Sequence, residues 1–303
     1  MKMAQLKLLT KRNTKLFFKD KGMFFTALIT PMILLMLYAT FLGNLYGESI
    51  TSMLDAVGVV ADERILDGFV GGQLTSSILA VSCVTVAISA NMLMVNDKAN
   101  GARKDMSISP ISPAILSLSY YISTLIITFV ICLSALAVCF IYLAIVGWYL
   151  TIIDVLLLLL DVFILVMFGT ALSSIISFFL STQGQISAVG TMVSSCYGFI
   201  CGAYMPISQF SEWLRDVVGL LPGSYGTSLL RRHALSGAIS EWEAAGVPAE
   251  VIDGIRESVD YSICVFEYEM PHFASYVILG GTVAALLAVY VILNVARSKK
   301  ASK

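Results

Sequence analysis

Residues 114–146 form one unbroken apolar run with no charged side chain, longer than the roughly 20 helical residues that cross a hydrocarbon core. Such a run cannot be spread over the surface of a soluble domain. Five more apolar runs accompany it, at 23–43, 74–95, 152–180, 186–204 and 273–296. With 58% hydrophobic and 13% charged residues in 303, lipid is the main solvent of this chain. The expected fold is an all-α membrane protein with six transmembrane helices. The 114–146 run is long enough to tilt or to project beyond the bilayer. Residues 147–151 and 181–185 are too short to be more than turns.

Charge fixes the expected orientation. Residues 1–22 carry Lys2, Lys7, Lys11, Arg12, Lys15, Lys19 and Lys21 against Asp20 alone. Met3, Leu6, Leu9, Leu16 and Phe17 recur there at roughly helical spacing, which predicts a basic amphipathic helix on an anionic leaflet. The following run is too long for a signal-peptide core and has no convincing small-residue cleavage site, so it reads as an uncleaved anchor. With 1–22, 96–113, 181–185 and the tail in the cytosol, only Arg64, Arg215, Arg231, Arg232 and Arg256 of the 19 Lys and Arg lie opposite. Only Asp20, Asp97 and Asp105 of the 20 acids share the cytosolic side. This asymmetry predicts both termini inside. A formal net charge of -1 gives no sign of a nucleic-acid partner.

Residues 192–232 turn a span into a surface element. Gly190, Ser194, Gly198 and Gly202 repeat every four positions, offering close backbone approach along one helical stripe. Pro206 is expected to stop that helix. Beyond it, Phe210, Trp213, Leu214, Val217, Val218 and Leu221 alternate with Glu212, Arg215 and Asp216, a short amphipathic segment suited to an interface. Pro222 and Gly223 make a second break.

This succession, ending in Leu230, Arg231 and Arg232, resembles the ABC-2 family of ATP-driven export permeases. The resemblance implies an N-terminal elbow helix at 1–22 and two short re-entrant or interfacial helices before the last span. It also implies an extracellular gate around Pro206, Phe210, Trp213, Leu214 and Pro222, within a 206–272 outer segment. The family's coupling loop corresponds to residues 96–113, where Gly101 and the Ser109-Pro110-Ile111-Ser112 close, followed by Pro113, match its pattern. Asp97, Lys98, Arg103, Lys104 and Asp105 stand where that pattern has a glutamate cluster and a threonine. The resemblance makes all of these candidates for contact with an ATPase, and makes Asn91, Ser195 and Tyr197 candidates for the pathway. An ordinary positive-inside loop at 96–113, and a surface loop with no gating role at 207–232, are the plainer alternatives.

Other candidates come from the residues themselves. Asp154 and Asp161 share one face of the fourth span, two turns apart. Asp161 is either an intramembrane acid, suited to proton coupling or a cationic substrate, or a headgroup residue of a span beginning near Val162. Gly190, Ser194, Ser195, Gly198 and Gly202 serve packing or pathway. His233 and His272 are the only histidines and read as plain interfacial residues. The eight acids from Glu241 to Glu269 (Glu241, Glu243, Glu250, Asp253, Glu257, Asp260, Glu267 and Glu269) read as a solvated face. Cys83, Cys132, Cys139, Cys196 and Cys201 lie in apolar runs and Cys264 in a polar one, so no disulfide framework is expected. There is no zinc-binding histidine pair, nucleophile elbow or phosphate-binding loop.

The expected function is therefore the non-catalytic permease subunit of an ABC-2-type exporter in a prokaryotic cell membrane. It carries no cofactor or metal of its own. ATP and Mg belong to a separate ATP-binding-cassette ATPase subunit, and a second permease copy or a paralogue completes the pathway, with membrane lipid around both. A secondary transporter or channel using Asp161, and a membrane receptor with an acidic outer segment, are the alternatives from other classes.

Overall fold

A computed structural model describes residues 2–56, 58–59, 62–109, 111–266 and 268–301. Among these, five helices are long and apolar enough to cross a membrane: Lys21–Asp55, Glu63–Ala99, Pro113–Val146, Ile152–Phe179 and His272–Ala296. The first of them comprises α2 (Lys21–Leu37), a π-helical turn at Tyr38–Leu42 and α3 (Gly43–Asp55). It therefore runs on past the 23–43 segment legible as apolar. The remaining four are α4 (Glu63–Ala99), α6 (Pro113–Val146), α7 (Ile152–Phe179) and α12 (His272–Ala301). Helix α1 (Lys2–Lys19) precedes them, and α5 (Ala102–Ile108) joins α4 to α6.

The element at the expected fifth span is shorter and more polar than the others. Helix α8 (Gln183–Ile200) has 18 residues, about 27 Å at 1.5 Å each, and Gln183, Gln185, Ser187, Thr191, Ser194 and Ser195 dilute its apolar character. It stops at Ile200 because Gly202 adopts a left-handed conformation (φ +73). The amides of Ala203 and Tyr204 then turn back onto the Gly198 carbonyl. The terminator is thus a glycine C-cap, four residues before Pro206.

Helix α4 is the axis of the fold. It touches α2, α6, α7, α8 and α10 (Pro222–Ala244), and its surface is buried almost throughout. Small residues make this possible. A side chain at Gly72 would fall on the Ala234 carbonyl of α10, and one at Gly169 of α7 would fall on the Cys83 carbonyl of α4.

The segment before the last span also differs from two short interfacial helices. Helix α9 (Glu212–Gly219) is short, preceded by a 3-10 turn at Ile207–Gln209. Helix α10 has 23 residues and is buried from Gly223 to Arg231 against α4, α7 and α12. The acidic stretch is a folded cap whose outer face is solvated: Glu241, Glu243, Glu250, Asp253, Glu257 and Glu269 are exposed, Asp260 is buried, and Glu267 lies outside the described residues. Trp242 packs on Phe69 with ring centroids 5.0 Å apart, over Ile252 and Ile255 of α11 (Ala249–Ser258). A two-residue hairpin, β1 (Cys264–Val265) with β2 (Tyr268–Glu269), closes it. Arg256 bridges Glu243 (2.6 Å) and Asp253 (3.1 Å) on its surface. All six cysteines are free.

Candidate functional site

Three regions bear on function: the basic end around α5, a groove along α8, and the polar contacts of α10.

At the basic end, the residues flanking α5 are turned inward. Asp97, on the last turns of α4, accepts from Arg12 of α1 at 2.7 Å and from the Tyr120 hydroxyl of α6 at 2.6 Å. The Asp97 carboxylate holds the Arg12 guanidinium above its ordinary value. Lys98 donates to the carbonyls of Ser177 (2.6 Å), Phe178 (2.9 Å) and Leu180 (2.8 Å), satisfying the open C-terminal end of α7. Both residues thus fasten neighbouring helices instead of facing outward.

Gly101, at φ +81, then breaks the chain direction, a conformation nearly free for glycine alone. Helix α5 presents Lys104, Asp105 and Ile108 to the outside, and Arg103 is half-buried. Ser112 caps α6, with Pro113 in its first turn. Pro110 lies outside the described residues. Replacing Asp97 by Ala is expected to cost about 1.5–3 kcal/mol, the range for hydrogen bonds to a charged group. Limited proteolysis of 1–22, faster in the variant, checks it.

The groove runs between α2, α4 and α8. Its volume is about 710 Å³ and its walls include Ile29 and Ile33, Ile88 and Met92, and Gly190, Ser194 and Ser195. A second cavity of about 380 Å³ continues it past Tyr46 to Pro206. Leu42, Phe199 and Tyr204 belong to both cavities, so they form the neck between them. Phe199 and Tyr204 meet edge to face at 5.1 Å, and the Tyr204 hydroxyl donates to the Ser194 carbonyl at 3.1 Å.

The glycine stripe divides along this axis. Gly190 and Ser194 line the groove, Gly198 is covered by the Tyr204 ring, and Gly202 lies beyond the helix end. Gly198 therefore packs within its own chain. Asn91 and Tyr197 are buried away from the groove. Asn91 donates to Ser173 at 2.5 Å and accepts from Thr124 at 3.2 Å, while Tyr197 packs by Gly223.

Of the predicted outer residues, Pro206 is buried, Phe210 and Leu214 pack with Ile207, Val218 and Val265, and Trp213 is 68% exposed. Pro222 starts α10. The turn before them is pinned from α10. Arg231 is 1% exposed and pairs with Asp260 at 3.0 Å, while its other nitrogen donates to the Gly202 carbonyl. Asp260 in turn accepts from the amides of Ile207 (2.5 Å) and Ser208 (3.0 Å). From the first span, the Tyr38 hydroxyl at the π turn donates to the Ala203 carbonyl at 2.9 Å and shares a 2.8 Å hydrogen bond with Ser77 of α4. A π turn often marks such a functional contact.

Asp161 is 1% exposed, packed between α7, α10 and α12 and on no wall of the groove. Its carboxylate accepts from the Tyr276 hydroxyl of α12 at 2.7 Å and contacts His233 Nδ1 of α10 at 2.6 Å. Asp154 closes a capping box with Thr151 and accepts from Ser236 of α10 at 2.8 Å. His233 is thus no plain interfacial residue. Only its four-residue spacing from Leu229 and Gly237, on a face that α10 buries, hinted at this. His272 is exposed at the start of α12. Among the described residues, no group of three or more His, Cys, Asp or Glu could hold a metal ion.

No curated protein matches the chain in a sequence comparison. The model of one protein family, described as ABC-2 type transporter, matches residues 4–233, from α1 through α8 into the middle of α10. That span takes in the α5 turn, the groove and the pinned outer turn, and the chain is a multi-pass membrane permease belonging to the ABC-2 type transporter family.

Proposed function

We propose that this permease exports its substrate, driven by ATP that a separate ATP-binding-cassette subunit binds with Mg and hydrolyses. The observation that carries the coupling is the mounting of α5. A seven-residue helix follows directly on the end of α4, where the adjacent Asp97 and Lys98 tie α4 to α1 and α6 and to α7, with Lys104, Asp105 and Ile108 displayed outward. A push on α5 is thereby delivered to three helices at once. Conformational coupling needs contacts that differ between states and a connection stiff enough to transmit them.

Two permease chains, identical or paralogous, face each other across α2 and α8. Phe25, Met32 and Met36 of α2 and Met192 and Phe199 of α8 are exposed apolar side chains on that side. In such a pair α8 is the sixth crossing helix, its hydroxyl-bearing face turned to the partner and the pathway instead of to lipid. The Lys and Arg asymmetry places α1, α5 and both termini in the cytosol of the cell membrane. Substrate in the α2–α4–α8 groove then leaves through the Leu42, Phe199 and Tyr204 neck, below the turn that runs from Pro206 to α9.

Alanine at Lys104, Asp105 and Ile108 together is expected to detach the ATPase or to abolish transport by at least tenfold on the scale of a lost coupling energy of about 1.4 kcal/mol. Folding is preserved, because all three side chains are exposed. Measured hydrolysis and transport that remain at wild-type levels would contradict the assignment of α5.

A further inference from the structure

We infer that Asp161, His233 and Tyr276 form a proton-binding latch that fastens α10 to α7 and α12, tightening when His233 is protonated. The geometry comes from three separate helices. Asp161 of α7 has both carboxylate oxygens engaged, Oδ1 by the Tyr276 hydroxyl and Oδ2 by His233. With one oxygen on the Tyr276 hydroxyl and the other on the His233 imidazole, the ligand this pair suits is a proton. The side chain of Asp161 is 1% exposed and that of His233 is 12% exposed. Protons therefore reach the pair through the imidazole.

Other ionisable groups surround this pair without replacing it. On α7, Asp154 is occupied by Thr151 and Ser236. On α10, Arg232 stacks over Tyr261 at 4.9 Å and lies within electrostatic reach of Arg256, Glu269 and Tyr276. On α12, Tyr276 is the facing group. Burial pulls Arg232 below its ordinary value.

The sign of the response follows from charge. A neutral His233 leaves one buried negative charge on Asp161, held by two uncharged donors. Protonation converts a hydrogen bond with one charged partner into an ion pair, which cancels the buried negative charge and strengthens the contact. Histidine is the side chain whose ordinary titration falls between about pH 5 and 8. Acidification that protonates His233 therefore holds α10 more firmly, and alkalinisation that removes the proton loosens it. Because α10 carries Arg231, which pins the Gly202 and Ile207 turn, the latch sets how freely that turn moves. The coupling itself is independent of the export reading.

The test uses full-length protein in lipid nanodiscs. With only two histidines in the chain, carbon-13 histidine labelling resolves His233 beside exposed His272 as an internal control. Hydrogen exchange of residues 222–244, corrected for the intrinsic pH dependence of exchange, is followed over the same pH range. Expected is about a tenfold rise in protection from about pH 8 to pH 6, tracking the titration of His233. His233→Asn keeps a donor for Asp161 but cannot titrate, so its protection should be flat with pH. Asp161→Asn keeps the shape and removes the charge, and should abolish the acid-side gain. A wild-type protein with flat protection, a His233 that does not titrate in this range, or a His233→Asn variant with the full response would each overturn the latch.

Discussion

Arg231→Met is expected to destabilise the protein by about 3–5 kcal/mol, the cost of leaving a buried charge unpaired. Arg231 and Asp260 have side-chain exposures of 1% and 6%, so water cannot replace the lost partner. The damage is spread over several elements, because the guanidinium also holds the Gly202 carbonyl and Asp260 holds the amides of Ile207 and Ser208. Without Arg231, the carboxylate remains buried against two amides alone and the turn loses its tie to α10. Asp260→Asn alone should be nearly as damaging, and the double variant Arg231→Met with Asp260→Asn less damaging than the sum of the two. Thermal unfolding of the purified variants in detergent measures these differences. Single and double losses that simply add would mean the two residues act separately.

Gly169→Leu is expected to disrupt the bundle at its axis, by about 3 kcal/mol or more, at or above the upper end of the range for overpacking. The first atom of any side chain at Gly169 falls on the Cys83 carbonyl of α4, which is backbone and cannot rotate aside. Helices α4 and α7 must then separate, and Asn91 loses its hydrogen bonds to Ser173 and Ser174. Gly280, on α12, meets no heavy atom near the same position, so Gly280→Leu serves as a control for the general cost of replacing glycine in a span. A Gly169→Leu protein that elutes and melts like the Gly280→Leu control would contradict the close approach of α4 and α7.

Much of the fold was legible because lipid and water sort side chains coarsely. Five of the apolar runs are long helices, and six of the seven Lys and Arg of 1–22 fall on one helix, α1, whose Leu9, Asn13 and Phe17 face inward. Gly101 and the residues through Pro113 marked a short element between two spans, and α5 occupies it. The family match over residues 4–233 agrees with the resemblance read from 96–113 and 192–232.

Long-range pairing was not legible. Asp97 and Lys98 read as loop charges, but their partners Arg12 and Ser177 lie 85 and 79 residues away. Residues 223 to 231 are too small and polar to look like an interior helix. They are buried because α4 presents Gly72 to the Ala234 carbonyl. His233 appeared solitary for the same reason, being 72 residues from Asp161. The end of α8 was misplaced because proline is a conspicuous stop signal, whereas the C-cap at Gly202 depends on a single left-handed backbone angle.

The most direct measurement of the central claim is purification of the tagged chain from its native cells in a mild detergent, with its co-purifying proteins identified and ATP hydrolysis assayed. A stoichiometric ATP-binding-cassette ATPase, active in the complex, is the predicted result. An intact, folded permease that brings down no ATPase, under conditions that preserve a known complex of this kind, would contradict it.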